Sequence, residues 1–159
     1  MSAAPRALTL VPRLVLYDGV CNLCNAGIAW VAKRDTGKSI AFCAVQSRSA
    51  KPYLLASGTT REAVLKRFIF LQEDKISEAS TAALEVAGYL NFPWPLAQAF
   101  LVVPRQIRDP VYDYVASNRY RWFGRTQKCQ VPSAEVLERC IDAAELQAAS
   151  RHDGPKGQQ

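Results

Sequence analysis

Apolar residues gather in short runs bounded by turn residues, a pattern that predicts alternating strands and helices. Leu14-Val15-Leu16-Tyr17, closed by Asp18-Gly19, reads as a buried strand ending in a tight turn. A helix follows directly: Cys24, Ile28 and Val31 recur at i, i+4 and i+7, Lys33 and Arg34 lie in the last turn, and Asp35-Thr36-Gly37 supplies a stop. Ile40 to Val45 predicts a second buried strand. Ser47 to Ala56 predicts a short helix stopped near Gly58, with Pro52 tolerated only early in it, and Thr59-Thr60-Arg61-Glu62 offers a capping box for one more turn. Arg67 to Leu71 predicts a third strand, which Glu73-Asp74 turns into a weaker fourth around Lys75 to Glu78. Ser80 fits as N-cap of a helix from Thr81 to about Gly88, giving the order β-α-β-α-β-β-α of an α/β domain.

Beyond Tyr89 the chain changes character. The Phe92-Pro93-Trp94-Pro95 break precedes an apolar helix from Leu96 to Val103, and Asp109-Pro110 starts another by N-cap and N1 chemistry. The stretch from Val86 to Val103 is uncharged and about as long as a short membrane span, but Asn91, Pro93, Pro95 and Gln98 mark it as buried or interfacial instead. The expected organisation is a flexible segment over 1–13, a core over 14–90, a helical extension over 91–149 packed on the same domain, and a fraying polar tail over 150–159. With 159 residues, 49% of them hydrophobic, the chain has enough apolar material for one core that folds without staples. Met1 to Arg13 lacks the apolar run of a secretory signal, which argues against export and leaves an organelle address open.

The formal charge of +6 is uneven: Arg105, Arg108, Arg119, Arg121, Arg125 and Lys128 face only Asp109 and Asp113 within one stretch, which favours an acidic partner or surface. Tyr120, Trp122 and Phe123 interleave with these cations. A packed aromatic helix end explains that mixture better than a nucleic-acid surface, because it is one short run and not a face.

Five cysteines, Cys21, Cys24, Cys43, Cys129 and Cys140, are an odd number and suit a reducing compartment better than a secreted disulfide framework. Cys21 and Cys24 are separated by two residues at the start of the first helix, where unpaired N–H groups and the helix dipole favour a thiolate on the first. Cys21 is the expected nucleophile, and Cys24, one turn further in, the less exposed thiol that resolves the mixed disulfide. A zinc site would need a second Cys/His pair, whereas Cys43, Cys129 and Cys140 are isolated and the single histidine, His152, lies in the tail. Asp18 shapes the turn or accepts a proton from Cys24; its charge also opposes that of a thiolate at Cys21. Cys43 and Cys140 read as small buried hydrophobes, and Cys129 as a free loop cysteine or a second resolving thiol.

Tyr17-Asp-Gly-Val-Cys-Asn-Leu-Cys24 resembles the signature of the DCC family of thiol-disulfide oxidoreductases, named for an aspartate and two cysteines that fall here on Asp18, Cys21 and Cys24. The resemblance continues through Ala44-Val-Gln-Ser47, Ser80-Thr-Ala-Ala-Leu84 and the segment from Tyr114 to Arg125, and so covers roughly Leu14 to Pro132. It implies a thioredoxin-like domain with a C-terminal helical extension and thiol-disulfide exchange as the activity. Ser117 stands where such sequences often carry arginine, which weakens an anion-binding role for this segment. The cis-proline that normally precedes the third strand of thioredoxin is missing from Leu65-Lys66-Arg67, so partner docking must use another surface. We expect the segment from Asn118 to Arg125 to fold back near Cys21 and supply Arg119 or Arg121 to steady the thiolate.

The sequence thus points to an oxidoreductase exchanging disulfides with protein or small-molecule thiols, without cofactor, metal or nucleic acid. In it Cys21 attacks, Cys24 resolves, Asp18 shapes the turn or relays a proton, and Gly19 lets the backbone turn tightly before the helix. The alternative is a non-catalytic binding module on the same scaffold, docking a membrane protein, a membrane surface or an acidic partner. The cytoplasm or an organelle stroma or matrix is the expected location.

Overall fold

A computed structural model describes residues 12–72 and 75–151, without the side chains of 149 and 150; the flexible segment expected at the N-terminus and the polar tail fall almost wholly outside these residues. Four strands, β1 (Arg13–Tyr17), β2 (Ala41–Ala44), β3 (Ile69–Gln72) and β4 (Lys75–Glu78), form one sheet in the order β2-β1-β3-β4. β1 and β2 are parallel, joined by helix α1 (Asn22–Arg34), and the pairs β1/β3 and β3/β4 are antiparallel. This is the mixed sheet of a thioredoxin-like α/β domain.

Alternation at period two divides the core in two. Leu14 and Leu16 of β1 pack with Val45, Tyr53, Leu54, Val64 and Leu71 beneath α2 (Lys51–Ser57) and α3 (Arg61–Lys66). Val15 and Tyr17 face the other way, toward Ile28 and Ala32 of α1 and Ala82 and Val86 of α4 (Ala79–Ala87). The outer edge of β2 is covered by the chain near Cys140: Phe42 N–H donates to the Arg139 carbonyl at 3.0 Å and Ile141 N–H to the Phe42 carbonyl at 3.1 Å. Covering the edge removes a template for pairing with other chains.

Several boundaries differ from expectation. The cap of α3 is Thr60, whose hydroxyl accepts the Ala63 N–H at 3.2 Å, so the expected reciprocal role of Glu62 is lost by a shift of one residue. Helix α4 begins at Ala79, at φ 55°, immediately after β4; Ser80 is not its N-cap, because its hydroxyl bonds to Asp109. Helix α5 runs from Arg105 to Phe123 with Pro110 inside it, so Asp109-Pro110 does not start a helix. Pro110 is the sixth residue of α5 and forfeits one backbone hydrogen bond near its first turns. Between α4 and α5, residues Trp94–Val102 form a 3₁₀ segment rather than an α-helix from Leu96. Its apolar side chains stand outward, with Leu96 63%, Phe100 64% and Val102 86% exposed, whereas Val86 and Leu90, earlier in the same apolar stretch, are buried. No helix among the described residues is long and apolar enough to cross a membrane. The chain ends in α6 (Ala134–Leu137) and α7 (Ala143–Arg151).

After α5 the chain doubles back along the β1–α1 turn. Asn22 N–H donates to the Gly124 carbonyl at 3.2 Å, Thr126 N–H to Val20 at 2.9 Å and Gln130 N–H to Gly19 at 3.0 Å, with Cys21 and Arg125 paired as an antiparallel bridge. Gly19 is therefore needed for close approach and not for a positive φ. A Cβ there would stand 2.9 Å from both Ala44 Cβ and Cys129 Sγ. Gly19→Ala is expected to cost about 1–3 kcal/mol through overpacking, readable as a lowered urea midpoint with an unchanged m-value.

Candidate active site

Adjacent parallel strands end side by side, so the residues that follow them meet. Asp18 follows β1 and Gln46 lies just beyond β2, and Gln46 Nε2 donates to Asp18 Oδ1 at 2.7 Å. The same oxygen accepts the Val20 N–H at 3.1 Å, and the Asp18 carbonyl accepts the Cys21 N–H at 3.3 Å, closing the turn that delivers Cys21 to α1.

Cys21 is the N-cap of α1, with extended backbone, and its Sγ accepts the Cys24 N–H at 3.4 Å. Its sulfur thus takes the place of the usual capping oxygen at the positive end of the helix dipole. Cys24 lies one turn along. Burial pushes the Cys24 thiol up to about 12, with Cys21 adding to the effect and the Arg119 cation opposing it. The expected order of exposure is reversed: Cys21 is fully buried and Cys24 half-buried. The cause is the returning chain over 124–130, held to α1 by Asn22 Nδ2 on the Phe123 carbonyl at 2.8 Å and by Gln130 Nε2 on Asn22 Oδ1 at 2.6 Å.

Asp18 is 2% exposed and fully satisfied. Its Oδ2 accepts Arg119 Nη2 at 3.1 Å and the Tyr120 hydroxyl. Burial pushes the carboxyl up, but hydrogen bonds from Tyr120, Gln46 and Arg119 outweigh it and hold Asp18 below the usual carboxylate range. The segment from Asn118 to Arg125 does fold back to the cysteines, yet Arg119 bonds to this carboxylate and to the Leu65 and Ala116 carbonyls rather than to a sulfur. Arg121, two residues on and therefore about 200° around the helix, is exposed. Trp122 and Phe123 are likewise exposed, whereas Tyr120 is part of the site. Sequence reasoning missed Gln46 and assigned Tyr120 to packing; the position of Gln46 beyond β2, parallel to β1, was the signal available for it.

A cavity of about 330 Å³ opens beside Cys24, walled by α1, α3, α4 and α5 and floored by Tyr17, Asp18 and Arg119. The residues before β3 are engaged by α5, through Arg119 on the Leu65 carbonyl and the Tyr112 hydroxyl, which accepts the Phe68 N–H at 3.2 Å. The other cysteines lie apart from this cavity. Cys43 is buried against Ser47 Oγ at 3.2 Å, and Cys140 is buried with its thiol on the Val136 carbonyl at 3.3 Å. Cys129 sits beside Gly19 and Gln46, with its sulfur 3.7 Å from Gln46 Oε1. Among the described residues no group of three or more His, Cys, Asp or Glu is placed to hold a metal ion; His152 is outside them.

Because Asp18 is ionised more readily here than in the unfolded chain, it contributes stability above the ordinary value of 3.8 that is lost as pH falls through its lowered folded value. Tyr120→Phe removes one hydrogen bond to that charge. It is expected to cost about 1.5–3 kcal/mol near neutrality, with the difference from wild type shrinking as the carboxyl protonates, measurable by urea unfolding across pH.

The description "DCC1-like thiol-disulfide oxidoreductase" matches residues 15–125. The chain is 39% identical over 129 residues to the uncharacterized protein YuxK of Bacillus subtilis, covering 81% of this chain and 93% of that protein. It is 38% identical over 119 residues to a chloroplastic DCC family protein of Arabidopsis thaliana, covering 74% and 69% respectively. No solved structure matches it significantly. A family match over residues 15–125, together with these two relatives, places this protein in the DCC1-like thiol-disulfide oxidoreductase family.

Proposed function

We propose that the chain is a thiol-disulfide oxidoreductase in which Cys21 and Cys24 cycle between dithiol and disulfide, exchanging with protein or small-molecule partners. The observation that carries this reading is the Cys24 N–H on Cys21 Sγ at 3.4 Å, a sulfur capping the helix that bears the second thiol. Cys21 attacks a partner disulfide, and the departing partner sulfur takes up a proton. Cys24 then gives up its proton and attacks Cys21 sulfur, releasing the second partner thiol; the dithiol has lost two electrons in becoming the internal disulfide and the partner disulfide has gained them. Burial makes deprotonation of Cys24 the difficult step, and Arg119 offsets part of that cost. Asp18 acts as a positioning residue: a carboxylate held low and hydrogen-bonded through both oxygens is a poor proton acceptor, so its part is to fix the turn. Five cysteines and a chloroplastic relative support work in the cytoplasm or an organelle stroma.

The exposed apolar 3₁₀ segment favours a second reading, a binding module that docks a membrane protein or surface through Leu96, Phe100 and Val102. Equilibration with graded glutathione buffers, reading Cys21–Cys24 disulfide by mass spectrometry, separates the two. A reversible transition is expected; thiols that stay reduced or stay bridged throughout would put the binding module first.

Access to Cys21 requires local opening of the chain over 124–130. Asn22→Ala removes two side-chain hydrogen bonds that hold it. At about 0.5–1.5 kcal/mol each, their loss is expected to speed alkylation of Cys21 by about tenfold, followed by residue-resolved mass spectrometry, with little effect on the rate at Cys24.

A further inference from the structure

The cavity beside Cys24 is within the size range of small-molecule sites, and its walls are carbon: Leu23, Ile28, Val31, Phe68, Val86 and Val115 surround it. Of the charged residues that reach it, Asp18 and Arg119 are paired with each other, while Lys66 is exposed. A charged peptide thiol such as glutathione would therefore leave its termini unpartnered there. One donor nevertheless borders the cavity: Tyr112, whose oxygen already accepts the Phe68 N–H at 3.2 Å, has its own proton to give. Apolar surface also continues outward from the cavity. Trp30 meets Trp94 edge to face at 4.6 Å, and Val115 is followed along α5 by exposed Val111 and Ile107 at four-residue spacing. The ligand that fits is uncharged and apolar, carries acceptor oxygens, and sits against one sulfur of a dithiol.

We infer that this cavity is a binding site for a quinone, which serves as the small-molecule electron acceptor of the Cys21–Cys24 dithiol. The inference rests on the redox reading above and names a substrate class for it. In the step, Cys24 sulfur bonds to a ring carbon as its proton passes to one quinone oxygen. Cys21 then attacks Cys24 sulfur; the carbon–sulfur bond breaks, its electron pair stays on the ring, and the Cys21 proton goes to the second oxygen. One dithiol and one quinone become one disulfide and one hydroquinone, with two electrons and two protons transferred. Cys24, the sulfur in the cavity wall, thus meets the quinone, and Cys21, beneath the returning chain, faces other partners.

The test mixes the reduced full-length chain with decylubiquinone, whose ring is fully substituted, and follows the Cys21–Cys24 disulfide by mass spectrometry alongside hydroquinone formed. Hydroxyethyl disulfide serves as the soluble comparison oxidant. Two variants fill the cavity from different helices, Gly27→Phe and Ala116→Phe. A Cβ at Gly27 meets nothing within 4 Å, and replacing a mid-helix glycine does not disfavour α1, so that variant is expected to fold. The expected result is equimolar disulfide and hydroquinone in the wild type, slowed by about tenfold or more in both variants, with oxidation by hydroxyethyl disulfide within about twofold of wild type. Quinone oxidation at equal rates in wild type and filled variants would overturn the proposal, because the reaction would then proceed outside the cavity. A dithiol that hydroxyethyl disulfide oxidises and decylubiquinone does not would overturn it while leaving the redox reading intact. Inertness toward both oxidants would remove both.

Discussion

The buried pair of Asp18 and Arg119 is the constraint on which the rest of the site depends. Taking two charges out of water costs several kcal/mol per ion unless each is paired and its remaining hydrogen-bonding capacity is met. Asp18 meets that condition through donors from its own turn, from the end of β2 and from α5. The pairing ties the C-terminal part of α5 to the β1–α1 turn. Arg119 also reaches the Leu65 carbonyl, and Tyr112, two turns earlier, takes the Phe68 N–H, so one helix closes both the cavity wall and the approach to β3. Once Gly124 follows Phe123, the chain has one short path back along the β1–α1 turn, and Cys21 is covered by it.

The sheet was legible because its information is local. Strand β1 is buried on both faces and reads as a continuous apolar run, and β3 and β4, antiparallel neighbours, lie only two residues apart in sequence. Asp18, Cys21 and Cys24 were legible for the same reason, since a single turn brings them together. Ser80 and Pro110 misled because their local preferences lost to tertiary bonds: a hydroxyl that fits an N-cap is worth more to buried Asp109, and a proline that fits the start of a helix is tolerated inside one whose other contacts hold. Gln46, Arg119 and Tyr120 lie 28, 101 and 102 residues from Asp18, and no periodicity reports a contact at such separation. The family resemblance marked the stretches holding all three without saying that they meet at one carboxylate.

The exposure of the two sulfurs shows how distant chain reshapes a local motif. Considered alone, the first turn of α1 makes residue 21 the open end of the helix and residue 24 the inner position. The returning segment inverts this by covering the N-cap, while Cys24 lies in the wall of the apolar cavity. Cys21 then has the favourable dipole and poor access, and Cys24 has access with a thiol that burial pushes up to about 12. Neither sulfur combines the helix-end position with an open approach. In the proposed exchange, opening the returning chain would admit a partner to the capping sulfur, whereas a molecule entering the cavity would meet the other sulfur without any movement of that chain.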